Sequence, residues 1–265
     1  MPELELGIST EKLRALAFFS HPDDESYSAA GTLALLVEQG WEVQALCLTR
    51  GEGGGRRDGV KLAPEELGAV RAREFRASCF ELGIQKVDLM DIPDGFVEDH
   101  ISMETARTVV ERTELGNVDL VLTLGWDGAY GHRDHIATTR LFHMALQILE
   151  PSARPCVLHC AFEPGLFART WKFLKRMPGP GLLADIALED LGTEKATCTL
   201  RVDIESVAQK KRASIAAHRT QLLDGDPMSF LDGRLVRSLM VEESFVHVAG
   251  PSEILKELRL PLVQR

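Results

Sequence analysis

Apolar runs and amphipathic stretches alternate along the first 150 positions of the chain. Four short runs, "ALAFFS" at 15–20, "EVQALCLT" at 42–49, "KVDLMDI" at 86–92 and "VDLVLTL" at 118–124, have the length and composition of buried strands. Between and after them the apolar positions recur every three to four residues, which predicts helices. The first covers about 25–39 and ends at Gly40; the second covers about 64–82, opened by Pro64, Glu65 and Glu66 and closed by Gly83. Two more follow, around 102–113 and 132–149. Beyond this β-α-β-α-β-α-β-α series, "CVLHCAFE" (156–163) and "ATCTLRVDI" (196–204) read as strands and 205–218 as a helix. Residues 164–196 form a Pro- and Gly-rich connection with a helical stretch near 166–176.

Strands that alternate with helices pack as a mostly parallel sheet flanked by helices on both faces, joined by right-handed crossovers. The expectation is therefore an α/β, Rossmann-like fold in a single domain spanning 1–265, with 163–196 as a lid insertion. In the doubly wound arrangement the strand order begins 3-2-1-4, and ligands bind where the winding reverses between strands one and four. "SHPDDE" (20–25) follows strand one and "GWDGAYGHRDH" (125–135) follows strand four, so these two segments should meet there.

Composition narrows the partners. The chain of 265 residues is 45% apolar and 26% charged, as for a globular protein with a sizeable core, and its net charge is −10. Phosphate backbones and anionic membranes demand a surplus of Lys and Arg, so a small or neutral substrate is expected instead. The start "MPELELGISTEKLR" lacks the basic and apolar regions of a secretory leader, and no apolar run approaches the length of a membrane span, which predicts a cytoplasmic protein. Five scattered cysteines with no CxxC pair give neither a disulfide framework nor a thiolate metal site, and read as buried reduced thiols.

The two segments at the crevice carry the chemistry. His21 and Asp24 are three residues apart where a strand gives way to a helix, and His132 and His135 are three apart at a helix start. Two imidazoles and one carboxylate make the ligand set of a catalytic zinc ion, one per chain, with an open position for water. Such a water would have its pKa lowered toward neutrality, and Asp23, pointing away from Asp24, is the natural base for its proton. The remaining histidine would face the developing oxyanion or protonate a leaving amine. Glu25 reads as support for the helix start or for the site rather than as a ligand. The glycines of "TRGEGGGRRDG" (49–59) do not complete GxGxxG, and the segment reads as a loop bordering the pocket, with Glu52 as its candidate substrate contact.

"HPDDE" after strand one, "T-R-GEGG" after strand two, "VRAREFRASCFELG" (70–83), "GAYGHRDH" after strand four and "KRASIAAHRTQ" (211–221) together resemble the LmbE-like, or PIG-L, family of zinc-dependent N-deacetylases, across about residues 14–221. With Tyr130 before Gly131-His132, the sequence is similar to bacterial members that deacetylate N-acetylglucosaminyl conjugates in low-molecular-weight thiol biosynthesis. The resemblance implies that His21, Asp24 and His135 hold zinc, that Asp23 is the general base, and that His132 stabilises the oxyanion or acts as acid. It further implies Asp134 in support beside His132, Arg71 as a ligand for sugar hydroxyls in an R-x-x-E pattern with Glu74, Tyr130 as a helper at the substrate carbonyl, and His218 near the site.

Read on its own, Arg71 is equally a helix-surface arginine, Tyr130 a packing aromatic and His218 a helix-end histidine. Arg133 departs from the proline that the family carries between His and Asp. As a lid, 163–196 would offer Phe167, Arg169 or Trp171 to a sugar. The expected partner is a small N-acetylated amino-sugar conjugate, with a homo-oligomer left open. Rival readings are an amidase on a larger glucosaminyl amide, a metal phosphoesterase, and a sugar-binding protein that keeps the metal.

Overall fold

Leu16 and Phe18 turn to one side of the first strand and Ala15, Ala17 and Phe19 to the other, and all five are buried. A strand apolar on both sides needs cover on both, which places it in the interior of a sheet between two helical layers. The computed structural model describes residues 12–54, 61–176, 181–222 and 238–263. In it, β1 (Arg14–Phe19), β2 (Glu42–Cys47), β3 (Lys86–Leu89), β4 (Leu120–Leu124), β5 (Cys156–Ala161), β6 (Leu200–Asp203) and β7 (Glu242–Ala249) form one sheet in the order β3-β2-β1-β4-β5-β7-β6. The order begins 3-2-1-4, as the alternating pattern predicts, and β1 lies in parallel register between β2 and β4.

The far edge departs from the sequence reading. The pattern places no strand beyond "ATCTLRVDI", yet β7 inserts antiparallel between β5 and β6. Its charged start hides it: Glu242 and Glu243 are unlike an inward-facing strand, and they are balanced by distant residues, Glu242 by Arg201 and Lys195 and Glu243 by Lys211.

The helices that matter here are α1 (Asp24–Ser28), α2 (Ala30–Glu38), α3 (Pro64–Glu81), α4 (Met103–Thr113), the turn α5 (Gly128–Gly131), α6 (Arg133–Ile148), α7 (Ala168–Leu174) and α8 (Ala208–Ala217). The helix expected over 25–39 breaks in two at Ala29, whose φ of −147° leaves the helical region. The break exposes a new N-terminus, and Glu243 of β7 receives its Gly31 and Thr32 amides at 2.9 and 2.7 Å. Gly31 must be glycine there, because a Cβ would stand 2.6 Å from Ile204.

The buried apolar residues divide between the two faces, one set gathered under α2 and α3, the other under α4 and α6. All five cysteines are free and buried, as expected. No helix of the described residues is long and apolar enough to cross a membrane. Gly55 and Arg56 of the glycine-rich loop, and 177–180 of the expected lid, lie outside the described residues.

Candidate functional site

The loops that leave the carboxyl ends of β1, β2, β3 and β4 converge beside the β1–β4 boundary, where a doubly wound sheet opens a crevice. The first loop is the most constrained. Asp23 has φ 121°, a left-handed value that a non-glycine residue holds only under external constraint. Its amide donates to Glu25 Oε2 at 3.1 Å, and its carbonyl accepts from Ser26 N at 3.0 Å and Ser26 Oγ at 2.7 Å. Arg71 from α3 fixes the other side, donating to the Pro22 carbonyl at 2.7 Å and reaching Asp23 Oδ2 at 3.3 Å.

Ligand-type atoms of three residues gather here, both Asp24 oxygens among them. His21 Nδ1 lies 3.3 Å from His135 Nε2, His135 Nε2 lies 3.2 Å from Asp24 Oδ1, and His21 Nδ1 lies 3.5 Å from Asp24 Oδ2. Donors at about 2.0–2.1 Å from a tetrahedral ion stand about 3.3–3.4 Å apart, and His135 Nε2 holds about that spacing to both His21 Nδ1 and Asp24 Oδ1, as donors to one cation would. The outward nitrogens agree. His135 Nδ1 donates to the Gly128 carbonyl at 3.1 Å, and His21 Nε2 faces Asp94 Oδ1 at 3.0 Å and Asp134 Oδ2 at 3.1 Å. Each ring is thereby oriented with its other nitrogen free for the ion, the usual support of a metal-binding imidazole. Ligand atoms of His21, His132 and His135 also lie within 4.8 Å of one another, so His132 borders the same point.

Burial and mutual charge tune the groups. Burial would push His21 down, but Asp94, Asp134 and Asp24 outweigh it and raise its pKa well above the ordinary value. Burial likewise opposes the Asp24 charge, yet His135 and His21 hold that carboxyl well below the usual range. Asp23 is raised to about 6, chiefly by burial, with Arg71 opposing and Asp24 adding to the rise. Burial first, then His135 and His21, push His132 well below its ordinary value, so its ring is neutral. Because His132 Nδ1 accepts from the Asp134 amide at 3.2 Å, the proton of that neutral ring sits on Nε2. Burial and the nearby Asp24 raise Tyr130, which keeps its hydroxyl protonated.

Not every expected residue lies where it was expected. Asp134, anticipated beside His132, turns its carboxylate to His21 and takes the Gly95 and Val97 amides at 2.7 and 3.2 Å. Arg71 is buried, which removes the helix-surface alternative, and it also donates to the Gly51 carbonyl at 2.7 Å. The glycines of the second loop follow from this: a Cβ on Gly51 or Gly54 would stand 2.4 or 2.6 Å from the Arg71 guanidinium. Glu52 accepts from the Asp94 amide at 2.9 Å and so braces the third loop.

His218, expected near the site, is fully buried behind Asp23 and paired with Glu25 at 2.8 Å. Glu74 accepts from Thr220 N and Oγ1 at 2.9 and 2.6 Å, tying α3 to the "AHRTQ" segment. Tyr130 lies over the site, its ring centroid 5.7 Å from His132, 5.3 Å from His135 and 5.5 Å from Phe167. Asp94 escapes the sequence reading, although its "IPDG" turn follows the third strand at the same sheet edge.

Known proteins are similar to this chain in sequence and in fold. The family model described as PIG-L: GlcNAc-PI de-N-acetylase matches residues 16–146, the stretch from β1 to α6. A 1D-myo-inositol 2-acetamido-2-deoxy-alpha-D-glucopyranoside deacetylase of Nakamurella multipartita is 29% identical over 269 residues, covering 89% of each chain. A probable N-acetyl-alpha-D-glucosaminyl L-malate deacetylase 2 of Bacillus anthracis is 32% identical over 148 residues, 56% of this chain and 65% of that protein. Among solved structures, the N,N'-diacetylchitobiose deacetylase of Pyrococcus horikoshii superposes with a TM-score of 0.60 at 22% identity, over 91% of this chain and 85% of that one. At that identity the likeness concerns the fold alone. The family match runs from the His21 strand through the His135 helix, and over that stretch the chain is similar to the PIG-L family.

Proposed function

We propose that this protein is a zinc-dependent N-deacetylase that hydrolyses the acetamide of an N-acetylglucosamine-type conjugate. The observation that carries the reading is the spacing of 3.2–3.5 Å among His21 Nδ1, His135 Nε2 and Asp24, beside an Asp23 forced into a left-handed backbone. The names of the relatives supply the substrate class, since those proteins act on acetamido-glucopyranosyl inositol and glucosaminyl malate. A zinc ion held by His21, Asp24 and His135 would polarise an amide carbonyl and acidify a water.

The chain's own groups do the rest. Asp23, with its pKa raised to about 6, is ionised near neutral pH yet basic enough to take the proton of the attacking water. Arg71 at 3.3 Å keeps its carboxylate aimed. Neutral His132 presents its Nε2 proton to the carbonyl oxygen as negative charge builds there, and Tyr130 offers its hydroxyl nearby. The water oxygen bonds to the carbonyl carbon, the carbon–nitrogen bond breaks, and the proton held by Asp23 passes to the departing amine. Asp94 and Asp134 hold the His21 ring in place throughout. Five free buried thiols support a reducing, cytoplasmic setting.

The test is release of free amine and acetate by the zinc-loaded chain from N-acetylglucosaminides bearing inositol, malate or a second sugar. Turnover of at least one is expected. No amine from any of them would overturn the reading.

A further inference from the structure

The loop between β4 and α6 holds a conformation it would not adopt alone. Gly128, Ala129 and Gly131 have φ of 61°, 64° and 80°. Alanine in that region is strained, and such backbone persists only where its surroundings over-determine it. The consequence reaches the site, because this loop supplies the Gly128 carbonyl that orients His135, and His132 ends it.

A stretch far along the chain, 181–192, supplies those surroundings. The Leu182 carbonyl accepts from Arg133 N at 2.9 Å, the Leu183 carbonyl accepts from Arg133 Nε at 3.1 Å, and Ala184 N donates to the Gly131 carbonyl at 2.7 Å. Leu183 thus pairs with His132 as an antiparallel bridge. At the other end Gly192 N donates to Asp127 Oδ2 at 3.0 Å, while Asp127 Oδ1 takes the Ala129 amide at 3.1 Å. Leu183 and Leu191 are buried beneath the stretch, with Leu191 3.8 Å from where a Cβ on Gly131 would stand. The segment therefore clamps the strained loop at both ends, and Arg133 alone provides two of the bonds.

The geometry points to Arg133 as a positioning residue: it latches 181–184 onto the loop of His132, and the latch holds His132 and His135 in the orientation that catalysis requires. The inference rests on the role proposed above for His132 at the substrate carbonyl. Arg133 acts on the reaction through that loop. Its backbone N–H matters as much as its charge.

Arg133→Pro tests this cleanly. It removes both donors, yet Arg133 is the first residue of α6, where a helix needs no N–H, and His132 at φ −67° and ψ 128° already has the extended conformation a residue before proline requires. Arg133→Ala keeps the backbone donor and loses only the Nε bond. With the zinc-loaded full chain and N-acetylglucosaminyl-inositol as probe, Arg133→Pro should lower kcat about tenfold with KM changed by less than about threefold. Hydrogen-exchange protection of the Ala184 amide should be lost in the same variant, while far-UV circular dichroism and zinc content stay at wild-type values. Arg133→Ala should fall between the two.

Unchanged protection at Ala184 in Arg133→Pro would overturn the latch, and lost protection with unchanged kcat would overturn the positioning role. A fully active His132→Ala would overturn the reading of His132 instead, and with it the proposed consequence of the latch. The exchange measurement would still report on the latch itself.

Discussion

Glu25 and His218, 193 residues apart in the chain, form a pair with no solvent exposure, His218 Nε2 lying 2.8 Å from Glu25 Oε1. The other oxygen of the same carboxylate takes the Asp23 amide at 3.1 Å, and Ser78 Oγ donates to Oε1. The pair is thus a floor beneath the candidate base. Burial would push His218 down, but Glu25 outweighs it and its pKa is raised. A histidine raised on folding adds stability that is full below its unfolded value of about 6.5 and is lost as pH rises through the folded value. His218→Leu should destabilise the chain by about 3–5 kcal/mol near pH 6 and flatten the pH dependence of stability above pH 6.5. Urea unfolding across that pH range measures both; an unchanged slope would remove the charge from this account.

Asp23→Ala should reduce kcat by at least about a hundredfold while zinc remains bound, because the three ligand-type side chains are untouched. Metal analysis beside turnover checks it. Full activity in that variant would end the proposed mechanism.

Chelation should abolish turnover, and zinc should restore it at one ion per chain. His21→Ala and His135→Ala should each fail to retain the metal, since each removes one of three converging donors. Two ions per chain by elemental analysis would favour a two-metal phosphoesterase instead.

Away from the site, His143 Nε2 and His159 Nε2 lie 3.0 Å apart, and the Trp126 ring stacks on His143 with centroids 4.5 Å apart. Burial pushes His159 down to about 3, with His143 adding to the fall, and burial lowers His143 as well. Groups depressed on folding give stability that is full above the unfolded value and is lost as pH falls. The chain should therefore lose stability between about pH 6.5 and about 3, and His159→Leu should soften that loss. Thermal melts followed by tryptophan fluorescence give the slope.

Lys211 is buried with Glu243 at 2.7 Å and also donates to the Tyr27 carbonyl at 2.9 Å. Lys211→Met leaves the Glu243 carboxylate without this cation, and among the described residues the two α2 amides then answer its charge. A loss of about 3 kcal/mol is expected, and denaturant midpoints would show it.

Period and chemistry together made the front of the protein legible from its sequence. The runs at 15–20, 42–49, 86–92 and 118–124 carry enough apolar residues to be read as strands without their neighbours, so the order 3-2-1-4 and the meeting of "SHPDDE" with "GHRDH" followed. Local spacing also turned His21 toward Asp24 and His132 toward His135, because residues at a strand end or in a first helical turn have few directions to point, while the choice of His135 as ligand came from the resemblance.

Tertiary structure decided what depends on distant partners. β7 was illegible because its Glu242 and Glu243 are neutralised by Arg201 and Lys211, and no window of sequence contains both halves of those pairs. The place of His218 was undecided until Glu25 was seen to claim it, and the left-handed backbone of Asp23 is set by Glu25 and Arg71 rather than by aspartate's own preference. Arg133 reads locally as a charge at a helix start, yet its bonds to Leu182 and Leu183 make it the fastening of a segment some fifty positions away. The sequence by itself determined the order of the first four strands and the meeting of the two loops that carry the candidate donors, because both arise from short-range patterns of polarity. Only the folded chain decided how those donors are held, because a buried charge or a strained backbone is stable only against the partner that the fold brings to it.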